Sequence, residues 1–220
     1  MGSKPADDGI YGICIRSGGA YAQGSITIPI EAGFTWEARL SVAKGSTPFG
    51  GQMGCGDRID NDPNSGDRIL IGMGTISSGN GGMYAFFPFS TYTGAMRVST
   101  VGFGDAKLKL HTCQFQWPKF YVDGVDRTPA NVPSTMPLYM LDRVTPINLW
   151  FNFPQGYVVN SIKIYKYDEL VYDFEANVRE VSLDDQLGSG LRIQYPNPGN
   201  LDFWVEFDEE GNPIREVPYG

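Results

Sequence analysis

The most regular feature of the chain is an alternation of apolar and polar positions with a period of two, the signature of strands that keep one face in a core. It is clearest in FTWEARLSV, where Phe34, Trp36, Ala38, Leu40 and Val42 share one face and Thr35, Glu37, Arg39 and Ser41 the other. SITIPI repeats the pattern through Ile26, Ile28 and Ile30, and RILIGM, MYAFFPF and AMRVSTV read as further strands. Glycine-rich SSGNGG at 77–82 is a turn. KLKLHTCQFQW changes phase near His111 and Thr112, which predicts a bulge or bend. KFYVDGVDR predicts a hairpin, because Asp123-Gly124 supplies the positive φ that a primed two-residue turn demands. PINLWFNF aligns Ile147, Leu149, Phe151 and Phe153, and VVNSIKIYKYDELVYDF predicts two strands around Tyr167-Asp168-Glu169.

Two stretches break the period. Residues 43–67 fill with Gly, Ser, Pro, Asn and Asp, predicting a long loop region with room for one short strand. From about Glu175 the chain is polar and punctuated until a final pair, LDFWVEF and PIREVPYG, joined by DEEGN. Short strands without helical interludes predict an all-β sandwich or barrel, and 220 residues suit one main domain with an appendage. The expected division is an N-terminal arm or first strand over 1–19, a sandwich over 20–176 and a C-terminal extension over 177–220.

Composition narrows the function classes. A formal charge of −8 and the lack of a basic run argue against a nucleic-acid partner and fit a protein kept apart from its neighbours in solution. Cys14, Cys55 and Cys113 form no CxxC pair, so neither a zinc site nor a disulfide framework is expected. MGSKPADDGIYG has no apolar signal core, and no apolar run nears the ~20 residues of a membrane span, so a soluble chain made in the cytosol is expected.

Candidate chemistry is sparse. Glu206, Asp208 and Glu210 spell E-x-D-x-E, which resembles the catalytic signature of laminarinase-type glycoside hydrolases. Strand phase puts Glu206 and Asp208 on one face beside Trp204, yet Glu209-Glu210-Gly211-Asn212-Pro213 is turn chemistry that removes Glu210 from the row. Asp60, Asp62, Asn64 and Asp67 place oxygen ligands at near-alternate positions, as calcium prefers, although the loop departs from the EF-hand pattern. His111 is the only histidine and is read as a strand-edge residue. Trp150, Trp204, Tyr92 and Phe49 are candidate sugar platforms, since a ring face can stack on a pyranose.

FTWEARLSV, KFYVDGVDR, TPINLWFNF and SIKIYKYDELVYDF together resemble the laminin-G-like members of the concanavalin A-like lectin/glucanase superfamily, over roughly residues 20 to 175. The last motif is most similar to versions in bacteriophage virion proteins and gut-bacterial surface proteins. The resemblance implies a two-sheet antiparallel jelly-roll sandwich that works as a binding or structural module and often carries calcium. The expectation is a non-enzymatic phage structural protein, such as a capsid decoration, head fibre, or tail or collar component. It would be made in the host cytoplasm and exposed on the particle. Its partners would be other virion proteins or copies of itself and host glycans, with no cofactor required. The alternatives are a laminarinase-type hydrolase and a bacterial carbohydrate-binding module.

Overall fold

The alternating segments pair as strands. The computed structural model describes residues 9–15, 20–26, 34–42, 52–56, 69–76, 80–87, 97–116, 118–130, 132, 147–153, 157–176, 192–194 and 201–218. The strands in chain order are β1 (Ile10–Ile15), β2 (Ala20–Ile26), β3 (Phe34–Val42), β4 (Gln52–Gly56), β5 (Ile69–Ile76), β6 (Asn80–Phe87), β7 (Arg97–Gly102) and β8 (His111–Gln116). They continue with β9 (Lys119–Val122), β10 (Val125–Asp126), β11 (Ile147–Phe153), β12 (Tyr157–Lys166), β13 (Glu169–Glu175), β14 (Arg192–Gln194), β15 (Leu201–Phe207) and β16 (Pro213–Pro218). Among the described residues the one helical element is a 3-10 turn, Gly104–Leu108.

Sheet A runs β10-β9-β8-β3-β12-β1-β15-β16 with β13 also on β12, and sheet B runs β14-β2-β11-β4-β5-β6-β7. All of these pairings are antiparallel. The chain repeatedly crosses between the sheets: β1, β3 and β12 lie in A while β2, β4 and β11 lie in B. This is the two-sheet jelly-roll sandwich that the alternation and the resemblance predict.

The core face of sheet A is the apolar face of β3. Trp36, Ala38 and Leu40 are essentially inaccessible, as are Cys113 and Phe115 of β8 and Ile162 and Ile164 of β12. Trp36 and Phe115 stand opposite each other in register and stack at 5.6 Å between ring centroids, an offset contact that adds to their burial. Both predicted hairpin turns form as expected. Asp123 and Gly124 have φ of 52° and 74°, and Tyr167 and Asp168 have φ of 48° and 65°, the paired positive values of a primed turn.

β12 carries three partners because its edge is shared. β1 takes Val158 and Val159, β13 takes Ser161 to Lys166, and β3 lines the other side. The register with β3 slips between Val159 and Ser161, so Asn160 is the extra residue of a bulge. Its buried side chain donates from Nδ2 to the Tyr11 carbonyl at 2.7 Å, and its own carbonyl accepts the Ala176 N–H at 2.7 Å. One asparagine thus satisfies backbone groups of both strands where they meet.

Three expectations are corrected. Lys107 and Leu108, expected in a strand, belong to the 3-10 turn, and β8 starts only at His111. Residues 80–82, expected in a turn, begin β6 and pair with Gly74 to Ile76. The largest change concerns the C-terminal end of the chain. The first strand expected within 1–19 is β1, in the interior of sheet A, and the hairpin expected in an extension over 177–220 supplies β15 and β16, seated directly on β1. The physical reason is that β15 has two buried faces, so it cannot stand as an appendage.

Candidate functional site

β15 shows why the acidic spelling misleads. Register places Trp204 opposite Ile13, which is opposite Val159 and then Leu40, so Trp204 lies on the core face and is 4% exposed. The expected sugar platform at Trp204 is therefore corrected: its ring has no open face to offer. Val205 and Phe207, on the other face, join Leu110 and Val158 in a second apolar cluster, with Ile10 against it.

The acids are occupied by neighbours in the hairpin. Glu206 stands opposite Arg215 and accepts from its Nε, and this carboxylate holds the Arg215 guanidinium above its ordinary value. Asp208 closes the turn: Oδ1 accepts the Asn212 N–H at 2.7 Å and Oδ2 the Asn212 Nδ2 at 3.0 Å. The Asn212 side chain and backbone bonds lower its carboxyl below the ordinary value, because they favour the charged form. Glu210 lies in the turn, exposed, so the three acids do not converge.

His111 opens β8 and is buried rather than at a strand edge. Its ring stacks on Phe103 at 3.6 Å with 2° between planes. Nε2 donates to the Ala106 carbonyl at 2.9 Å, while Nδ1 lies 2.7 Å from Asp123 Oδ2. Asp123 Oδ1 in turn accepts the Thr112 N–H at 2.9 Å. The histidine thus fixes the 3-10 turn to the β9–β10 hairpin. Cys113, next along the core face, has its thiol pushed well up by burial and secondarily by the Asp123 charge, which suits a packing residue better than a nucleophile.

Of the remaining candidates, Tyr92, Phe49, Asp60, Asp62, Asn64 and Asp67 lie outside the described residues. Trp150 is described in backbone only, in β11 between Gln23 and Gly54. Among the described residues no group of His, Cys, Asp or Glu is placed to hold a metal.

A different surface comes together on the outer face of sheet A. Tyr121, Gln114, Glu37, Lys163 and Asp173 stand opposite one another in sequence across β9, β8, β3, β12 and β13. Directly opposed residues share a face, so these five form one row, about 19 Å long at the usual strand spacing. All five are half-buried. Lys163 and Asp173 are 3.9 Å apart. A second row reads Lys119, Gln116, Thr35 and Tyr165, and a third Thr112, Arg39, Ser161 and Glu175. Thr35 and Ser161 are buried, so the face offers two phenol rings, amides, the Thr112 hydroxyl and charges of both signs. Its members were visible singly as the polar positions of each strand, but no sequence signal tells which strands become neighbours.

No protein-family model matches the chain, and no curated protein matches it. Among solved structures it is similar to the native heptameric SAP-like pentraxin of Limulus polyphemus, with TM-score 0.47, 10% identity and 98% of each chain covered. It is also similar to a pseudo β-1,3-glucanase of Mycobacterium tuberculosis described as an immunostimulatory antigen. That match has TM-score 0.33 and 15% identity over 66% of this chain and 65% of the other. Likenesses this distant concern the fold alone, and the two-sheet architecture rests on the strand pairing of the chain itself.

Proposed function

We propose that the protein is a non-catalytic binding sandwich, displayed on the surface of a bacteriophage particle, whose outer sheet A face takes a polyhydroxylated ligand such as a host glycan. The row from Tyr121 to Asp173 carries this reading. Half-buried phenol, amide and charged groups at fixed strand spacing match the alternating C–H faces and hydroxyls of a sugar chain. The site sits on strands rather than loops, which favours a preformed geometry. A net charge of −8 and the free thiol of Cys113, buried in the core, suit assembly in a reducing cytosol before release. The engagement of Glu206 by Arg215 and of Asp208 by its turn supports binding without hydrolysis.

Binding of the full chain to a broad glycan array is the direct test. Tyr121→Ala and Gln114→Ala should each weaken any hit by at least about tenfold while leaving the melting temperature in place. A blank array, or hits indifferent to both variants, would overturn the ligand reading. Reducing-sugar release from β-glucans that disappears in Glu206→Gln would overturn the non-catalytic one. Mass spectrometry of purified particles tests the location separately.

A further inference from the structure

The 3-10 turn and the residues after it cross the outer face of sheet A as a strap. Its far end is held by the Ser41 Oγ, which donates to the Leu108 carbonyl at 2.6 Å, and by the Leu110 N–H, which donates to the Gly211 carbonyl at 2.8 Å. Its near end is held by His111, which has an acceptor at each ring nitrogen. Nδ1 faces the Asp123 carboxylate at 2.7 Å and Nε2 the Ala106 carbonyl at 2.9 Å, in a residue that is 5% exposed. A neutral imidazole carries one N–H and can serve only one of these acceptors, whereas the imidazolium serves both. Burial disfavours the charged ring, and the adjoining carboxylate favours it.

The two contacts are unequal. The bond to Asp123 is charge-assisted and the stronger of the pair. Asp123 is also anchored apart from the ring, since Oδ1 accepts the Thr112 N–H and its own N–H donates to the Thr112 carbonyl. The Ala106 carbonyl has a second donor, the Lys109 N–H at 3.0 Å, so it can lose the histidine and stay satisfied. Loss of one proton thus leaves N–H on Nδ1 and sets the Nε2 lone pair against the Ala106 oxygen. The turn has room to respond: Gly104 at its start has φ of 54°, and a Cβ added there would meet nothing within 4 Å.

We propose that His111 is a proton-operated clasp, whose imidazolium ties the 3-10 turn to the β9–β10 hairpin and whose neutral ring lets the turn go. The clasp is closed on the acid side of the histidine range and opens as pH rises through it, about pH 5 to 8. Around the ring, the turn carries Asp105 and Lys107, Lys109 follows, and Cys113 lies next along the core face of β8. β3 sets the apolar Leu40 opposite. β5 and β6, which lie against β8 and the turn, contain no charged residue and one titratable phenol, Tyr84. Among the described residues, Asp123 is the charged group in contact with the ring. A released 3-10 turn of five residues has little stability of its own. The inference does not depend on the glycan reading.

NMR of the full chain between about pH 5 and 9 tests the clasp. Both ring nitrogens should carry protons at the acid end, and the ring should pass to the Nδ1–H form as pH rises. Over the same step, exchange protection at the Ala106 and Lys109 amides, which make the turn's own bonds, should fall at least about tenfold after correction for the intrinsic effect of pH. Asp123→Asn should move the step to lower pH, and His111→Gln should abolish it. A ring that keeps one protonation state throughout, or one that loses its proton with protection at Ala106 and Lys109 unchanged, would overturn the proposal.

Discussion

The two ends of sheet A are both hairpins, and they are built in opposite ways. At one end β9 and β10 bury one face only: Phe120 and Val122 point into the core, Lys119 lies in water, and the Asp123-Gly124 tip is exposed. At the other end β15 buries Trp204 inward and Val205 and Phe207 outward, under Leu110 of a strap about one hundred residues away in the chain. The first hairpin is local in its chemistry, whereas the second is a joint between distant segments. An acidic motif in a joint of this kind has structural duties that its spelling does not reveal.

The sharpest way to break the comparison is truncation. Removing residues 201–220 would strip β15 and β16 from β1 and uncover Leu110 and Val158. The shortened chain should show no cooperative thermal transition; a normal melt would restore the hairpin to the status of an appendage. Next in size is Phe207→Ala, expected to lower stability by roughly 3–5 kcal/mol in denaturant titration. Tyr121→Ala, on the outer face near the first hairpin, should stay within about 1 kcal/mol. Similar losses at the two sites would mean that the second cluster is not a core.

Gly12 ties the joint together at backbone level. A Cβ built there would sit 2.4 Å from Val158 Cγ1 and 3.2 Å from Phe207 Cε2. Gly12→Ala should therefore cost about 1–3 kcal/mol through overpacking. Asn160→Ala should cost a similar amount, about 1–3 kcal/mol, because it leaves the buried Tyr11 carbonyl without its donor. Urea midpoints of the two variants, compared with the wild type, decide both.

These contrasts explain how much could be read from sequence. Alternation located β3, β11, β12 and β13, and the residues Asp123-Gly124 and Tyr167-Asp168 announced their turns, because period and turn chemistry are local properties. β15 was found as a strand, but its address was not. A period-two pattern distinguishes apolar from polar faces, and Trp204 opposite Val205 offers two apolar faces with nothing to say that a strap covers the second. The 3-10 turn was hidden for a related reason: KLKL alternates, yet Leu110 serves the outer cluster and the chain turns at Gly104, whose φ is 54°. The polar row of sheet A was illegible because it exists only after five strands have aligned.

The smallest expected effect compares the acids that close the two hairpins. Asp126 accepts from Lys119 Nζ at 2.7 Å and from the Thr128 N–H at 2.9 Å, and these bonds, led by that of Lys119, hold its carboxyl at about 2. Asp208 is lowered by Asn212 in the same sense. A carboxyl depressed on folding stabilises the native state fully above its unfolded value, near 4 for aspartate, and that contribution fades as pH falls through the folded value. For Asp126 the loss spans roughly pH 4 to 2. Asp126 is exposed and Asp208 half-buried at the surface, so solvent screening keeps each contribution small. Asp126→Asn should flatten the acid limb of stability measured by urea unfolding between those pH values, leaving stability at pH 7 slightly lower. Asp208→Asn should do the same and also loosen the Gly211–Leu110 bond, seen as faster amide exchange at Leu110. If Asp126→Asn produced equal acceleration at Leu110, the two hairpins would be coupled through the sheet, and the division between a local hairpin and a joint would fail.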